Sequence, residues 1–215
     1  CALPVSGARW PGWRRQCGGP PRPGVVRRPD RCSRRHPEPM RIYLPATLDE
    51  LDAVTVTADA ARWTVAPRGA HAVTAALTRA LPDEDEEGLE YAAALEAADD
   101  SLALVASRPD APRQRLVVTL EVPDGAVQVV GAEDSDDEDA PAPSAVEVLR
   151  TVPDVAIVCV HVDEPEAVAD VEAVLAAADD DGPDADAALD AAIERVGERD
   201  LLWYDWSELK DVPRG

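Results

Sequence analysis

A change in composition at Met40 limits the part of this chain that can fold into a packed domain. Residues 1–39 hold nine arginines against two acidic residues, together with three of the four cysteines and eight of the twenty prolines. Residues 40–215 hold the remaining 12 basic and 41 acidic residues, a net charge of −29. Because proline and glycine interrupt helices and strands, and no hydrophobic period runs through residues 1–39, we expect the fold to begin at Met40.

The basic segment, residues 1–39, has several interpretations. It lacks the apolar run of a signal peptide and the amphipathic, Ser-rich pattern of a transit peptide. Cys17, Cys32 and His36 do not form the close ligand pairs of a typical zinc site, while a basic arm that binds nucleic acid is an alternative. The segment consists largely of residue types with GC-rich codons, so we interpret it as translated upstream sequence, disordered and not native coding sequence.

The remainder of the chain is expected to form one acidic domain over residues 40–209, with residues 210–215 as a tail. No apolar run approaches the roughly 18 residues of a membrane-spanning helix. The charge argues against binding to nucleic acid or to anionic membranes. One alternative function is that the acidic surface mimics nucleic acid and binds a basic protein. Cys159 is the only cysteine after Met40, which favours a cytoplasmic location.

The strand patterns predict an α+β fold. Residues 155–162 are apolar on both alternating faces, as in a central strand. Residues 115–122 and 126–130 suggest a hairpin around the turn at residues 123–125. Two short strands are predicted at residues 41–44, ended by Pro45, and at residues 63–65, closed by a turn with Pro67 and Gly69. We predict a small, mostly antiparallel sheet with helices packed on one face, in two layers, with a ferredoxin-like arrangement as one alternative.

The helix patterns are clearest after the five acidic residues 83–87. A helix should follow them and end at Arg108-Pro109, and shorter helices are predicted for residues 73–81, 164–178 (with residues 163–166 as its start) and 185–196. Thr47 and Glu50 have the form of a capping box at the start of another short helix. The stripe predicted to be buried on the longest helix consists of Tyr91, Leu95, Ala98, Leu102 and Val105.

Residues 132–143 form an acidic segment flanked by prolines, which predicts a disordered loop. Asp134, Asp136 and Glu138 imitate the spacing of calcium ligands, but the turn glycine and the final glutamate of such a loop are missing. No Gly-rich phosphate loop and no nucleophile elbow occurs in the sequence. We therefore expect no metal site and no cofactor.

His161 is the most interesting ionisable residue. On the predicted strand it shares a face with Cys159 and Asp163, because alternate residues of a strand point the same way. A His–Asp pair could bind a divalent metal or act in general acid–base chemistry. In the simpler interpretation, Asp163 caps the next helix and His161 lies at the rim of the sheet. His71, which follows a predicted turn, could approach His161 or be an ordinary residue at the start of a helix.

The aromatic segment at residues 201–206 is notable in a chain with few aromatic residues. Trp203, Tyr204 and Trp206 could anchor a protein interface, since aromatic residues dominate interface hot spots. In a chain this poor in aromatic residues, completion of the core is the favoured interpretation, and an interface anchor is the alternative.

Several stretches together resemble a family of small uncharacterised proteins from high-GC Gram-positive bacteria (actinobacteria), described as a domain of unknown function. The resemblance covers residues 40 to about 209 and implies a cytoplasmic bacterial protein, without a known activity, cofactor or catalytic residue. The stretches that carry it are residues 40–47 (MRIYLPAT), 72–74 (AVT), 89–92 (LEYA), 155–163 (VAIVCVHVD) and 201–204 (LLWY).

Two functions remain in competition. The first is a non-enzymatic module that acts by protein association, with another protein or with itself. The second is a metal-assisted hydrolase or small-ligand enzyme centred on His161 and Asp163, with His71 as a further candidate. The missing catalytic motif favours association.

Overall fold

The computed structural model describes residues 39–131, 140–180 and 182–214. The predictions for residues 1–38 and for the calcium-like spacing at residues 134–138 lie outside these ranges. The helices are α1 (Ala75–Ala80), α2 (Glu86–Ser107), α3 (Val168–Ala178) and α4 (Ala185–Gly197). The strands are β1 (Pro39–Thr47), β2 (Thr55–Val56), β3 (Ala61–Val65), β4 (Arg68–His71), β5 (Arg115–Pro123), β6 (Val127–Val129), β7 (Ala145–Val148), β8 (Val152–Asp163) and β9 (Leu201–Asp205).

These strands form one antiparallel sheet in the order β2-β3-β8-β5-β1-β4-β7-β6. The long strand β8 is central, as its apolar pattern predicts. β5 pairs along one side of it, while the other side pairs with β3 near its start and with β9 near its end. The α+β class and the mostly antiparallel sheet are confirmed. The element order differs from the β-α-β-β-α-β order of the ferredoxin-like alternative.

The two faces of the sheet are covered differently. Helix α2 packs its Leu89 and Ala93 against Tyr43 and Val117 on one face. The opposite face carries the largest apolar cluster, to which the chain near Leu209 contributes as well. Helices α3 and α4 pack against the C-terminal half of α2. The largest fully buried side chains of the cluster on the opposite face are Ile42, Leu44, Leu48, Leu116, Leu120, Val65, Val118, Val122 and Val146.

Helix α2 exposes part of the stripe that was predicted to be buried. Tyr91 is 63% exposed and Leu95 is 41% exposed, whereas Leu89, Ala93 and Ala97 face the sheet. Alanines bring a helix backbone close to the strands beneath it, because a methyl group takes little space. The prediction holds for the C-terminal half of the stripe and is wrong for its first two residues.

The first strand and its capping box explain the start of the domain. β1 continues through Pro45 to Thr47, so the predicted end at Pro45 is wrong. Proline has no backbone N–H to donate to a neighbouring strand. It is tolerated here because β4 pairs with β1 at Tyr43 and not at Pro45. The capping box is confirmed, since the Thr47 backbone N–H donates to Glu50 Oε1 at 3.2 Å. It opens a 3-10 helix, Leu48–Ala53.

The predicted hairpin after β5 is also wrong. β6 follows β5 after a 3-10 turn at Asp124–Ala126, but β6 pairs with β7 and not with β5. Gly69, assigned to a turn by its sequence, lies within β4. β4 and β7 are too short to show alternation, so only their pairing partners identify them as strands.

The end of the chain packs onto the core. Val212 is 5% exposed and belongs to the main apolar cluster, and Arg214 forms an ion pair with Asp52 at 2.7 Å. The packed region therefore extends past residue 209. Within the described ranges, no helix combines the length and the apolar character needed to cross a membrane.

Candidate functional site: a cleft beside helix α2

A cleft of about 810 Å³ lies between the first half of α2 and the sheet. Its floor comes from β1, β5, β8 and β9, and its wall comes from Tyr91 and Leu95 of α2. The segment that joins α4 to β9 closes one end with Arg199 and Asp200. A concave site of this size is large enough for a drug-sized organic molecule.

Strand register places the side chains of the floor. Tyr43 lies opposite Thr119, and Thr119 lies opposite Cys159 on the next strand. One row further along, His161 lies between Val117 of β5 and Trp203 of β9. Directly opposed residues of an antiparallel pair share a face, so Thr119, Cys159 and His161 project together toward the cleft.

Two polar atoms of this floor are buried and have no hydrogen-bond partner among the residues that the structure describes: Thr119 Oγ1 and His161 Nδ1. Thr119 is 3% exposed and lies in the cleft lining. Buried polar groups are nearly always satisfied, and leaving one unpaired costs roughly 1–3 kcal/mol. Two such atoms in adjacent rows of one cleft therefore require an explanation.

His161 has the electrostatics of an uncharged contact residue. Burial lowers the pKa of His161 below its ordinary value, because the charged imidazolium loses hydration there. Within the described chain, His161 Nε2 makes no hydrogen bond either, and it is not among the enclosed atoms. The ring is therefore neutral at pH 7 and offers the cleft either a donor or an acceptor.

Tyr43 and Glu90 form a polar edge of the cleft. Burial, followed by the negative charge of Glu90, raises the pKa of Tyr43 above its ordinary value. Glu90 also accepts a hydrogen bond from Arg41 Nη1 at 3.0 Å. The Tyr43 phenol therefore keeps its proton at physiological pH and can act only as a neutral hydrogen-bonding group.

Asp163 is not a partner of His161. It is fully buried, accepts from the Arg115 backbone N–H at 2.7 Å and from Arg115 Nη2 at 2.9 Å, and its backbone carbonyl accepts from Gln114. The short helix that follows begins after Glu164, so the helix-cap interpretation of Asp163 is wrong. The carboxylate that the sequence offered for metal or acid–base chemistry instead neutralises a buried guanidinium.

His71 does not approach His161. It lies on β4, three strands from β8, which corresponds to about 14 Å across the sheet. It is part of a strand and not of a helix start. Neither of the two positions that the sequence suggested for His71 is therefore the one it occupies.

His71 instead bridges Ser144 and Asp100. Its Nδ1 lies 2.8 Å from Ser144 Oγ, and its Nε2 lies 3.1 Å from Asp100 Oδ2. This chain of groups resembles a Ser–His–Asp triad, but Ser144 is completely buried and the Asp100 side chain is 58% exposed. A nucleophile must be reachable by its substrate, so the arrangement ties α2 to the chain before β7 and serves no hydrolysis.

The three aromatic residues of the C-terminal segment separate into two groups. Trp203 is 57% exposed and lines the cleft. Tyr204 and Trp206 are partly buried against the main apolar cluster. The core interpretation therefore fits Tyr204 and Trp206, whereas an interface role for Trp203 stays a prediction.

Thr119, Tyr43 and Tyr91 are cleft residues that the sequence did not single out. Thr119 resembles any other β-branched residue in an alternating strand, and Tyr91 matches a helical core stripe. Their role depends on strand register and on the rotation of α2, neither of which a local pattern reports.

Among the residues that the structure describes, no group of three or more His, Cys, Asp or Glu side chains is arranged to hold a metal ion.

Comparison with curated proteins and with solved structures finds no match. The model of a family of unknown function, DUF6912, matches residues 40–212. The chain therefore belongs to this family of unknown function.

Proposed function

We propose that this protein binds a small organic molecule in the cleft beside α2. The observation that carries the proposal is the pair of buried, unpartnered atoms in the cleft floor, Thr119 Oγ1 and His161 Nδ1. Thr119 Oγ1 is enclosed, so a ligand must displace the side chains that cover it. A ligand that does so, supplies the missing hydrogen bond and packs against the imidazole would remove the cost of leaving such groups unpaired. Burial and polarity in one concave site are typical of ligand pockets.

The cleft is better suited to binding than to hydrolysis. General acid–base chemistry by a histidine generally relies on a group that orients the ring, and His161 makes no hydrogen bond to a described carboxylate. Asp163 is committed to Arg115. The imidazole, the Thr119 hydroxyl and the Tyr43 phenol therefore serve as uncharged contacts that orient a ligand.

The test is a fragment screen of the full chain by saturation-transfer NMR, repeated with Thr119→Val. Loss of one neutral hydrogen bond should weaken the binding of cleft ligands about 2- to 10-fold. Thr55→Val, at an exposed position on β2, is the matched control and should leave affinity unchanged. A screen without hits, or hits that bind Thr119→Val and a His161→Phe variant as tightly as the unmodified protein, would refute the proposal.

A second candidate function, protein association, is favoured by the exposed apolar residues of β9. Leu202 is 38% exposed and Trp203 is 57% exposed, and within the described residues β9 pairs only with β8. An unpaired strand edge can add a strand from a partner or from a second copy.

Association is tested by sedimentation at increasing protein concentration and by a pull-down with the full chain. Leu202→Ser should abolish any complex without changing the cleft, because Leu202 does not line it. Val129→Ser is the control, since Val129 is 50% exposed at the other end of the sheet. A protein that stays monomeric and captures no partner would rule out this function.

We also propose a cytoplasmic location in an actinobacterium. The reduced, buried thiol of Cys159 is compatible with a reducing compartment. The resemblance described above supports the bacterial origin. The net charge of −29 over residues 40–215 supports a protein that avoids nucleic acid and anionic membranes.

A further inference from the structure

The mouth of the cleft carries more acidic than basic side chains. Four carboxylates line the cleft, and three arginines accompany them. A shallower depression of about 450 Å³ adjoins it at the start of α2 and shares four of its residues with the cleft lining. The carboxylates are Asp85, Glu87, Glu90 and Asp200, Glu86 is added by the depression, and the arginines are Arg41, Arg115 and Arg199.

Each of the three arginines is already neutralised. Arg115 pairs with the buried carboxylate of Asp163, as described above. Arg41 lies 3.0 Å from Glu90 and 3.7 Å from Glu121. Arg199 lies 2.8 Å from Glu164 and 2.6 Å from Asp170. None of these guanidinium groups therefore brings an unbalanced positive charge to a ligand.

The other carboxylates of the cleft and the depression form no ion pair with an arginine of the described chain. Glu87 and Asp200 are exposed and form no ion pair with any described residue. Asp85 caps α2 by accepting from the Gly88 N–H at 3.0 Å. The helix dipole contributes about half a positive charge at this end, which is less than the charge of the carboxylates gathered there. The mouth is therefore negative.

Aromatic side chains border the same mouth. Tyr91 comes from the helix and Trp203 from the strand, and more than half of each side chain is exposed. The faces of these rings attract cations, because the ring quadrupole is negative there. Carboxylates and aromatic faces around one opening are the chemistry that recognises an organic ammonium group.

Thr119, on the cleft floor, gives evidence for a ligand that is independent of the charges at the mouth. Thr119 is only 3% exposed, its hydroxyl has no hydrogen-bond partner within the described part of the chain, and it lines the floor of the same cleft. We propose that the ligand is an organic cation, with its amine or ammonium group near Glu87 at the start of α2 and an uncharged polar end at Thr119. This inference rests on the proposed function and names the chemical class of the ligand.

The test compares three probes that share a phenol ring and differ in the charge of the other end. Tyramine is cationic, N-acetyltyramine is neutral and 4-hydroxyphenylacetate is anionic. Saturation-transfer NMR with the full chain at physiological salt should show tyramine binding at least about 5-fold more tightly than the other two, the effect expected of one partly screened charge contact.

Variants locate that selectivity. Glu87→Gln should weaken tyramine binding about 2- to 5-fold, and Trp203→Leu should weaken it by a similar factor through the lost cation–π contact. Glu172→Gln is the matched control, because Glu172 is an exposed acid of α3 that does not line the cleft. Unchanged binding in the control separates a local site from the general attraction of an acidic protein for cations.

The outcomes separate this inference from the proposed function. Tighter binding of the neutral or anionic probe, still sensitive to Thr119→Val, would overturn the cation class while the cleft remains a ligand site. An equal loss of tyramine affinity in Glu87→Gln and Glu172→Gln would overturn it as well, because the attraction would be diffuse. Absence of binding by all three probes would overturn the cation class, and a fragment screen without cleft hits would refute the proposed function too.

Discussion

Replacement of Thr119 by valine should make the unliganded protein more stable. Thr119 Oγ1 is enclosed and has no hydrogen-bond partner in the described ranges, and the residue is 3% exposed. Valine has the same branched shape and an equal or better preference for a strand. The change therefore removes the unsatisfied group and disturbs the backbone little.

The magnitude follows from two contributions. An unsatisfied buried hydroxyl costs roughly 1–3 kcal/mol, and its removal recovers that amount. A methyl group is bulkier than a hydroxyl, and Tyr43 and Cys159 lie opposite Thr119 on the two neighbouring strands, so overpacking against them is expected to offset part of the gain. We expect the free energy of unfolding to rise by about 1 kcal/mol.

Thr74→Val is the matched control, because it makes the same chemical change at a satisfied hydroxyl. Thr74 is 5% exposed, accepts from the Leu77 N–H at 3.0 Å as the cap of α1, and donates to the carbonyl of Pro143. Loss of the cap and of the donor should lower the free energy of unfolding by about 2 kcal/mol. The two Thr→Val changes should therefore have opposite signs.

Urea unfolding followed by tryptophan fluorescence measures both variants. The transition midpoint should increase for Thr119→Val and decrease for Thr74→Val, with an unchanged slope in each case. If Thr119→Val loses as much stability as Thr74→Val, the Thr119 hydroxyl is satisfied in the free protein, and the main support for a ligand in the cleft is lost.

Three further predictions concern other parts of the molecule. Asp163→Asn leaves Arg115 buried without a counter-charge and should cost about 3–5 kcal/mol in urea unfolding; a cost below 1 kcal/mol would contradict the buried pair. Leu89→Ala should lower the free energy of unfolding by about 2–3 kcal/mol, whereas Tyr91→Ala should change it by no more than about 0.5 kcal/mol. The reverse order would show that Tyr91, as the sequence predicted, packs in the core and Leu89 does not. Because burial lowers the folded-state pKa of His161, the unfolded state binds its proton first, so this residue's contribution to stability is complete above about pH 6.5 and is lost as the pH falls below it. Stability curves of the unmodified protein and of His161→Gln should run parallel above that pH and converge or cross below it; parallel curves throughout would show that the ring titrates normally.

The sequence was informative where one strand or helix decides the structure by itself. The doubly apolar run around Val155 predicted a central strand, and the spacing of Thr47 and Glu50 predicted a capping box. Both depend on residues close together in the chain. The α+β class followed from the mixture of such local patterns.

The sequence was misleading where partners distant in the chain decide. Asp163 shares a strand face with His161 and was therefore one candidate partner for it, but its actual partner, Arg115, comes from the neighbouring strand. Tyr91 had the correct helical spacing for the core, but α2 is rotated so that its alanines face the sheet. No periodicity in a single segment contains the position of another segment.

The rotation of α2 also explains why a cleft exists. Ala93 and Ala97 allow the middle of the helix to lie close to β1 and β5, while the larger Tyr91 and Leu95 project away from that contact and over the floor beyond it. The floor there contains Thr119, whose unpaired hydroxyl is expected to lower the stability of the free protein. A position where stability is sacrificed is generally one where another requirement acts, and binding is the requirement that an unpaired hydroxyl in a cleft can meet. Thr119→Val should therefore have two effects of opposite sign, a more stable protein and a weaker complex, and a purely structural threonine would not show both.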